Sequence, residues 1–298
     1  MRELPVELYR AAQVRELDRI AIEDRGIPGI TLMNRAGEAA FNWLRERWPH
    51  ARRIVVVCGG GNNGGDGYVV ARLARKAGLD VLALTLTDPG NLRGDAQTAW
   101  QDAQAADVPT TVFTATSLKD ADLLVDAILG TGLEREVSGA WRDTIEAMNA
   151  CPADILAIDI PSGLHADTGA ILGVAIQAAA TITFIGMKQG LLTGQGPACR
   201  GELHFADLEV PPDIYRAIHP ACWRYVGDDL AGLLPKRRRS AHKGHFGHVL
   251  VVGGEQGLAG AARMAGEAAA RCRAGLVSVA TCVAHAGLQA AVRPELMF

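Results

Sequence analysis

Between Ala11 and Arg25 the apolar residues Val14, Leu17, Ala21 and Ile22 recur at intervals of three and four, a period that predicts a helix with one buried face. A second helix is expected from about Leu32 to Trp48. After it the pattern changes to short unbroken apolar runs, IVVVC, VLALTL, LLVDAIL, ILAIDI and TITFIGM, each ending at glycine or a polar cluster. Strands covered on both faces read this way. Helical stretches lie between the runs, notably Tyr68 to Ala77 and Ala96 to Ala106, and strand-helix alternation implies a parallel sheet with right-handed crossovers. All strand C-termini then open on one edge, where ligands bind, and the residues around 62, 126, 130, 159 and 188 converge there.

Val210 to Leu234, with Pro211, Pro212 and Pro220, reads as a connection leading into the basic run KRRRS. Beyond it HVLVVGG, a helix from about Gly260 to Arg273 and LVSVAT open a new strand-helix-strand unit. Only 64 residues follow Leu234, too few for a second doubly wound domain of ordinary size. Charge breaks at the same place: Pro235 to Phe298 has nine Lys or Arg against three Glu, a surplus of six, which leaves the remainder at −9. The 298-residue chain is 49% apolar and 21% charged, which excludes intrinsic disorder, and its formal charge of −3 gives no reason to expect a nucleic-acid partner. Six cysteines without a C-x-x-C pair read as reduced thiols, and no apolar run is long enough for a membrane span, so the expectation is a soluble, cytoplasmic protein.

Chemistry concentrates in three segments. In CGGGNNGGDGYVVARLA, Gly59, Gly61 and Gly64 fit G-x-G-x-x-G between a strand and a helix, an arrangement that cradles phosphate on backbone N–H groups. A plain turn does not need Asn62, Asn63 and Asp66 as well, although Asp66 could also serve as the helix N-cap. In VDAILGTGLERE, Asp126 lies inside an apolar run, where a carboxylate is costly unless paired or coordinated, and Gly130 and Gly132 free the backbone beside the Thr131 hydroxyl. In AIDIPSGLHADTG, Asp159 stands at the end of an apolar strand and Ser162 follows. Asn63, Asp126 and Ser162 offer only oxygen donors from three strand ends, a set that suits a hard cation better than zinc or iron.

The motifs GGGNNGGDGYVVAR, VDAILGTGL, AIDIPSGL and TFIGMKQGLLTG, together with LMNRAGEAA, resemble the N-terminal NAD(P)H-hydrate epimerase domain of the bifunctional NAD(P)H-hydrate repair enzymes, over about Ala11 to Leu208. The tail from SAHKGHFGHVLVVGG to LVSVAT is similar to the opening of their second domain, an ADP-dependent dehydratase. The resemblance implies an α/β fold: a Rossmann-like three-layer doubly wound, mostly parallel sheet over 1–228, then the first part of a ribokinase-like α/β domain over 229–298. It assigns hydrate contacts to Asn62, Asn63, Gly64, Gly65 and Asp66, to Gly130, Thr131, Gly132, Leu133, Glu134, Arg135 and Glu136, and to Asp159. It assigns potassium to Asn63, Asp126 and Ser162. The implied partners are the small molecules NADHX and NADPHX and a second copy of the chain in a homodimer, with no nucleic acid and no membrane. ADP or ATP is implied only for a complete dehydratase domain; because the dehydratase's own site residues lie downstream of Phe298 in the family, this segment is expected to lack that activity.

The substrate so implied carries water at C6 of a reduced nicotinamide, a hemiaminal whose inversion needs proton exchange and no redox step. Asp159 is the candidate acid/base. Lys188 reads as a solvated lysine on the same rim, and His242, His245 and His248 as loop histidines. Two competing readings are a dinucleotide dehydrogenase, with Asp88 as the ribose-binding acid, and a non-catalytic interaction module of the same fold.

Overall fold

The computed structural model describes residues 4–227, 232–233 and 236–298. Contacts divide the chain into two compact units between Val226 and Gly227. The expected boundary between 228 and 229, like Leu234, falls outside the described residues.

The first unit is built on seven parallel strands, β2 (Arg53–Cys58), β3 (Asp80–Thr85), β4 (Thr110–Val112), β5 (Leu123–Ala127), β6 (Asp154–Ile158), β7 (Ala180–Phe184) and β8 (Glu202–Ala206). Their spatial order is β4-β3-β2-β5-β6-β7-β8, so the chain winds outward from β2 to one side, then returns and winds outward from β5 to the other. The reversal lies between β2 and β5, where Val57 pairs with Asp126 and Cys58 with Ala127. In a doubly wound sheet the crevice at that reversal is where a ligand fits.

Alternation along β2 shows why the apolar runs are unbroken. Ile54, Val56 and Cys58 join the core beneath α2 (Gly29–Arg47), α3 (Asn62–Lys76) and α4 (Gly94–Ala105). Val55 and Val57 join a second core against α5 (Gly139–Ala150). All five side chains are fully buried, which is the condition for a strand with no polar face.

The first predicted helix is two pieces, α1 (Ala11–Arg19) and a π-helical turn over Ile20–Asp24, closed by the Arg25 N–H on the Ile20 carbonyl at 3.0 Å. The expected connection from Val210 belongs to the first unit as far as Val226. Its Ile214 is fully buried, and the strand β9 (Cys222–Trp223) pairs antiparallel with β1 (Glu7–Leu8). These residues pack because the prolines set a 3₁₀ turn over Pro212–Ala217 rather than an open linker. A four-residue helix α6 (Gly196–Cys199), β4 and β8 complete the unit; all three are too short or too exposed to show as apolar runs.

The second unit carries the expected strand-helix-strand: β10 (His248–Val252), α7 (Ala259–Arg271) and β11 (Leu276–Ala280), with β10 and β11 paired in parallel, followed by α8 (Val283–Val292). The three histidines are not all in loops. His245 sits in a 3₁₀ turn with its ring 3.7 Å from that of His242, and His248 opens β10, bonding Ser278 at 2.8 Å.

Candidate active site at the switch point of the sheet

At the reversal the ends of β2 and β5 are in van der Waals contact. The Gly59 N–H donates to the Ala127 carbonyl at 3.0 Å, and a Cβ at Gly59 would fall 1.9 Å from the Ile128 oxygen. Only glycine permits that approach. The NNGGD segment is not a loop but the first turn and a half of α3, whose N-cap is Gly61. Asp66 is therefore inside the helix and does not cap it. Gly64 lies against the Gly59 carbonyl, with 2.1 Å left for a Cβ. The LMNRAG segment of α2 packs on this turn: a Cβ at Gly65 would meet Met33 at 2.6 Å, and one at Gly37 would meet Val69 at 2.3 Å.

Asp126, the penultimate residue of β5, is fully buried. Ser162 binds it twice, its N–H to Oδ2 at 2.8 Å and its hydroxyl to Oδ1 at 2.6 Å, while the Ile128 N–H reaches Oδ1 at 3.2 Å. Burial pushes this carboxyl up to about 6 even though those three bonds pull it down. The Ser162 hydroxyl oxygen also accepts the Leu129 N–H at 2.8 Å and lies 3.2 Å from the Leu129 carbonyl. Asn63 is 7% exposed, and neither atom of its amide has a partner among the described residues. Unpaired buried amides are rare, and an amide oxygen left without a partner is a donor that a hard cation can use. Asn63, Asp126 and Ser162 thus fit such an ion chemically. Among the described residues no cluster of three His, Cys, Asp or Glu offers a transition-metal site.

Gly130 joins the two halves: a Cβ there would stand 3.4 Å from the Asn63 Cβ and 3.7 Å from Asp159 Oδ2. Strand β6 stops at Ile158, short of the expected ILAIDI, because Asp159 adopts the left-handed conformation at φ +68° and Pro161 follows. A non-glycine residue held there is strained. Two anchors hold it: its N–H donates to the Ile182 carbonyl at 2.7 Å, and its carboxylate takes the ammonium of Lys188.

Lys188 corrects the expectation of a solvated lysine. Its side chain is 1% exposed, and besides Asp159 it donates to Thr183 Oγ1 and the Phe184 carbonyl, each at 3.0 Å. All three ammonium protons are spent. Its backbone is clamped to the N-terminal segment, with Tyr9 N–H on the Met187 carbonyl at 2.8 Å and Gln189 N–H on the Tyr9 carbonyl at 2.9 Å.

Asp18 escaped the sequence reading, as did the burial of Lys188. Asp18 of α1 is partly buried, and desolvation, eased by the positive charge of Lys188 and reinforced by Asp159, pushes its carboxyl up to about 6. Asp66 is driven well above the usual range by desolvation and by the negative charges of Asp159 and Asp18. The signal for Asp18 was its spacing, four after Val14 and three before Ala21 on the apolar stripe. For Lys188 it was its position at the end of a buried run.

In the 130–136 loop, Arg15 of α1 reaches the Thr131 carbonyl at 3.5 Å, and Leu133 packs on the second core. Gly132, Glu134, Arg135 and Glu136 are exposed, as is Asn62, and no described hydrogen bond draws the three charged residues to Asp159. Asp88 follows β3, and its carboxylate is occupied by the Gly90 N–H at 3.0 Å. A hollow lined by Leu118, Lys119, Cys151 and Pro152 lies at the opposite edge, before β5 and β6, and holds none of these groups.

Residues 29–190 match the family described as YjeF-related protein N-terminus. The NAD(P)H-hydrate epimerase of Limosilactobacillus fermentum is 43% identical over 66% of this chain and 94% of its own length. The chain belongs to the YjeF N-terminal family. Within that family it is 46% identical to the bifunctional NAD(P)H-hydrate repair enzyme Nnr of Coxiella burnetii, over 97% of this chain, and 42% identical to that of Escherichia coli, over 99%. It spans 59% and 57% of those two proteins. The solved structure of yeast ynu0 shares the fold, with a TM-score of 0.64 at 19% identity over 72% of this chain and 95% of that one. No helix among the described residues is long and apolar enough to cross a membrane.

Proposed function

We propose that the first unit interconverts the R and S forms of hydrated NADH and NADPH at C6 of the nicotinamide ring. One observation carries this reading: a strained carboxylate, Asp159, held by a buried lysine opposite Asn63 and Gly130 at the sheet's reversal. The named activity of the Limosilactobacillus relative, which the chain covers almost end to end, supports it.

In this reading Asp159 exchanges the proton of the C6 hemiaminal. Lys188 holds that carboxylate fixed in its left-handed turn. The first turn of α3 offers unpaired backbone N–H groups to the anionic diphosphate, as helix N-termini do. Asn63, Asp126 and Ser162 would hold potassium, which supplies a fixed positive charge that ties the three loops together. The reaction is redox-neutral, which separates it from the dehydrogenase reading, and Asp88, already bonded to Gly90, gives that reading no support.

The second unit is proposed to open an ADP-dependent dehydratase domain, which in the whole protein would convert the S hydrate to the reduced cofactor with ADP or ATP. The family resemblance suggests a homodimer. All six cysteines are free, which supports a reducing, cytoplasmic setting. The test is chromatographic: starting from one pure hydrate, the protein should establish the R/S mixture faster than buffer, with no change in dihydronicotinamide absorbance. No acceleration over buffer would remove the proposal.

A further inference from the structure

We infer that Asp18 is a second proton-exchanging carboxyl of this site, acting with Asp159 on the two heteroatoms of the C6 hemiaminal. The inference rests on the proposed epimerase reading and deepens it.

Helix α1 is seated across the rim. A Cβ at Gly186, just past the end of β7, would fall 2.9 Å from Val14 and 3.4 Å from Leu17, so the absence of a side chain there is what lets α1 come down beside the Lys188 segment. On the same turn, Arg15 reaches the Thr131 carbonyl of the loop after β5 at 3.5 Å. Asp18 follows Arg15 by three residues and shares its side of the helix. It therefore lies over the gap between the β5 and β7 loops, in the electrostatic field of Lys188 and Asp159.

Lys188 eases its desolvation without pairing with it. The ammonium of Lys188 is fully spent on Asp159, Thr183 and Phe184. On its own helix Arg19 is engaged by Glu16, Glu23 and Asp24, and Arg15 by Thr131. The other titratable groups facing it are Asp66 from α3 and the Tyr215 hydroxyl, which is bonded to the Ile185 carbonyl at 2.9 Å. Among the described residues no hydrogen bond to the Asp18 carboxyl is formed. A desolvated carboxyl without a partner is costly to fold and needs a reason to be there. Within this cluster desolvation and mutual repulsion raise the Asp18 and Asp66 carboxyls together, which favours a proton on one of them.

Epimerisation by ring opening uses such a set. One ionised carboxylate takes the proton of the C6 hydroxyl, the O–H pair becomes the C6 carbonyl, and the C6–N1 pair withdraws to N1. N1 then takes a proton from the second, protonated carboxyl. Rotation presents the other face of the carbonyl, and the same transfers in reverse close the ring. Atoms and charge balance with no co-reactant. A single carboxyl would have to shuttle between O and N1; two carboxyls, one fixed by Lys188 and one unpaired, need not.

The test uses the whole chain and the hydrate interconversion assay. Asp18→Asn should lower kcat about 100-fold or more while leaving KM within about threefold, and it should abolish the kcat limb expected of the wild type near pH 6. A scaffold residue would instead lower melting temperature and binding together. For a second readout, Asp18→Ala should recover rate with added formate in proportion to its concentration. A near-wild-type kcat in Asp18→Asn, persistence of the limb, or no formate response would each overturn the inference while leaving the epimerase reading intact. A wild-type chain without interconversion would sink both.

Discussion

Ser162 grips Asp126 with both its backbone N–H and its hydroxyl, at 2.8 and 2.6 Å, and so fastens the loop after β6 to the end of β5. Removing the hydroxyl by Ser162→Ala also strips the Leu129 N–H of its acceptor. We expect a loss of about 1–3 kcal/mol in folding stability, the cost of buried groups left unsatisfied. Urea unfolding measures it; a change within error would mean that the loop is held by something other than this contact.

Asp159→Asn strands a buried ammonium, since Lys188 is 1% exposed. Breaking such a pair from one side costs about 3–5 kcal/mol, whereas replacing both partners is much milder. The single variant should therefore melt well below the wild type, and Asp159→Asn with Lys188→Met should recover much of the difference. Neither should interconvert hydrates. If the double variant melts as low as the single one, the ion pair is not what Asp159 contributes to stability.

Potassium should raise the melting temperature and the epimerisation rate relative to an equal concentration of a bulky organic cation. Asn63→Ala, which removes the unpartnered amide, should blunt both effects. In a crystal soaked with rubidium or thallium, an anomalous peak is expected among Asn63, Asp126 and Ser162, and its absence would dismiss the cation assignment.

The glycines of the fingerprint should separate. A Cβ at Gly64 would collide with the Gly59 backbone at 2.1 Å, whereas one at Gly61 meets nothing within 4 Å. Gly64→Ala is expected to destabilise the fold and abolish nucleotide binding. Gly61→Ala should melt like the wild type, and a raised KM in that variant would report ligand approach at this backbone.

Stability should also depend on pH through Asp18. Its carboxyl rises from 3.8 to about 6 on folding, so the folded state favours the protonated acid. That contribution is complete below pH 3.8 and is lost as pH rises through about 6. Above that, the ionised group opposes folding by something on the order of 1–2 kcal/mol after allowance for its partial exposure. Asp18→Asn should then melt higher than the wild type at about pH 8 and converge with it toward about pH 4. A lower melting temperature at both values would contradict this.

The parallel sheet, the edge where its strands end and the three oxygen-bearing strand ends were legible in the sequence because each depends on local pattern: unbroken apolar runs, glycines at their ends, carboxylates where none should be buried. The edge strands β4 and β8 were not, since a three-residue strand and a half-exposed strand leave no apolar run. Helix boundaries at NNGGD were blurred for a related reason, because glycine and asparagine favour turns and only the packing of Met33 and Gly59 against this segment makes it helical. What tertiary structure alone decided is the character of the charged groups. A lysine in KQG looks solvated until Thr183, Phe184 and Asp159 surround it, and Asp18, though spaced onto the apolar stripe, meets Lys188 and Asp159 only because Gly186 lets its helix come down over the rim. Charge pairing and desolvation are set by neighbours distant in sequence, which no local pattern encodes.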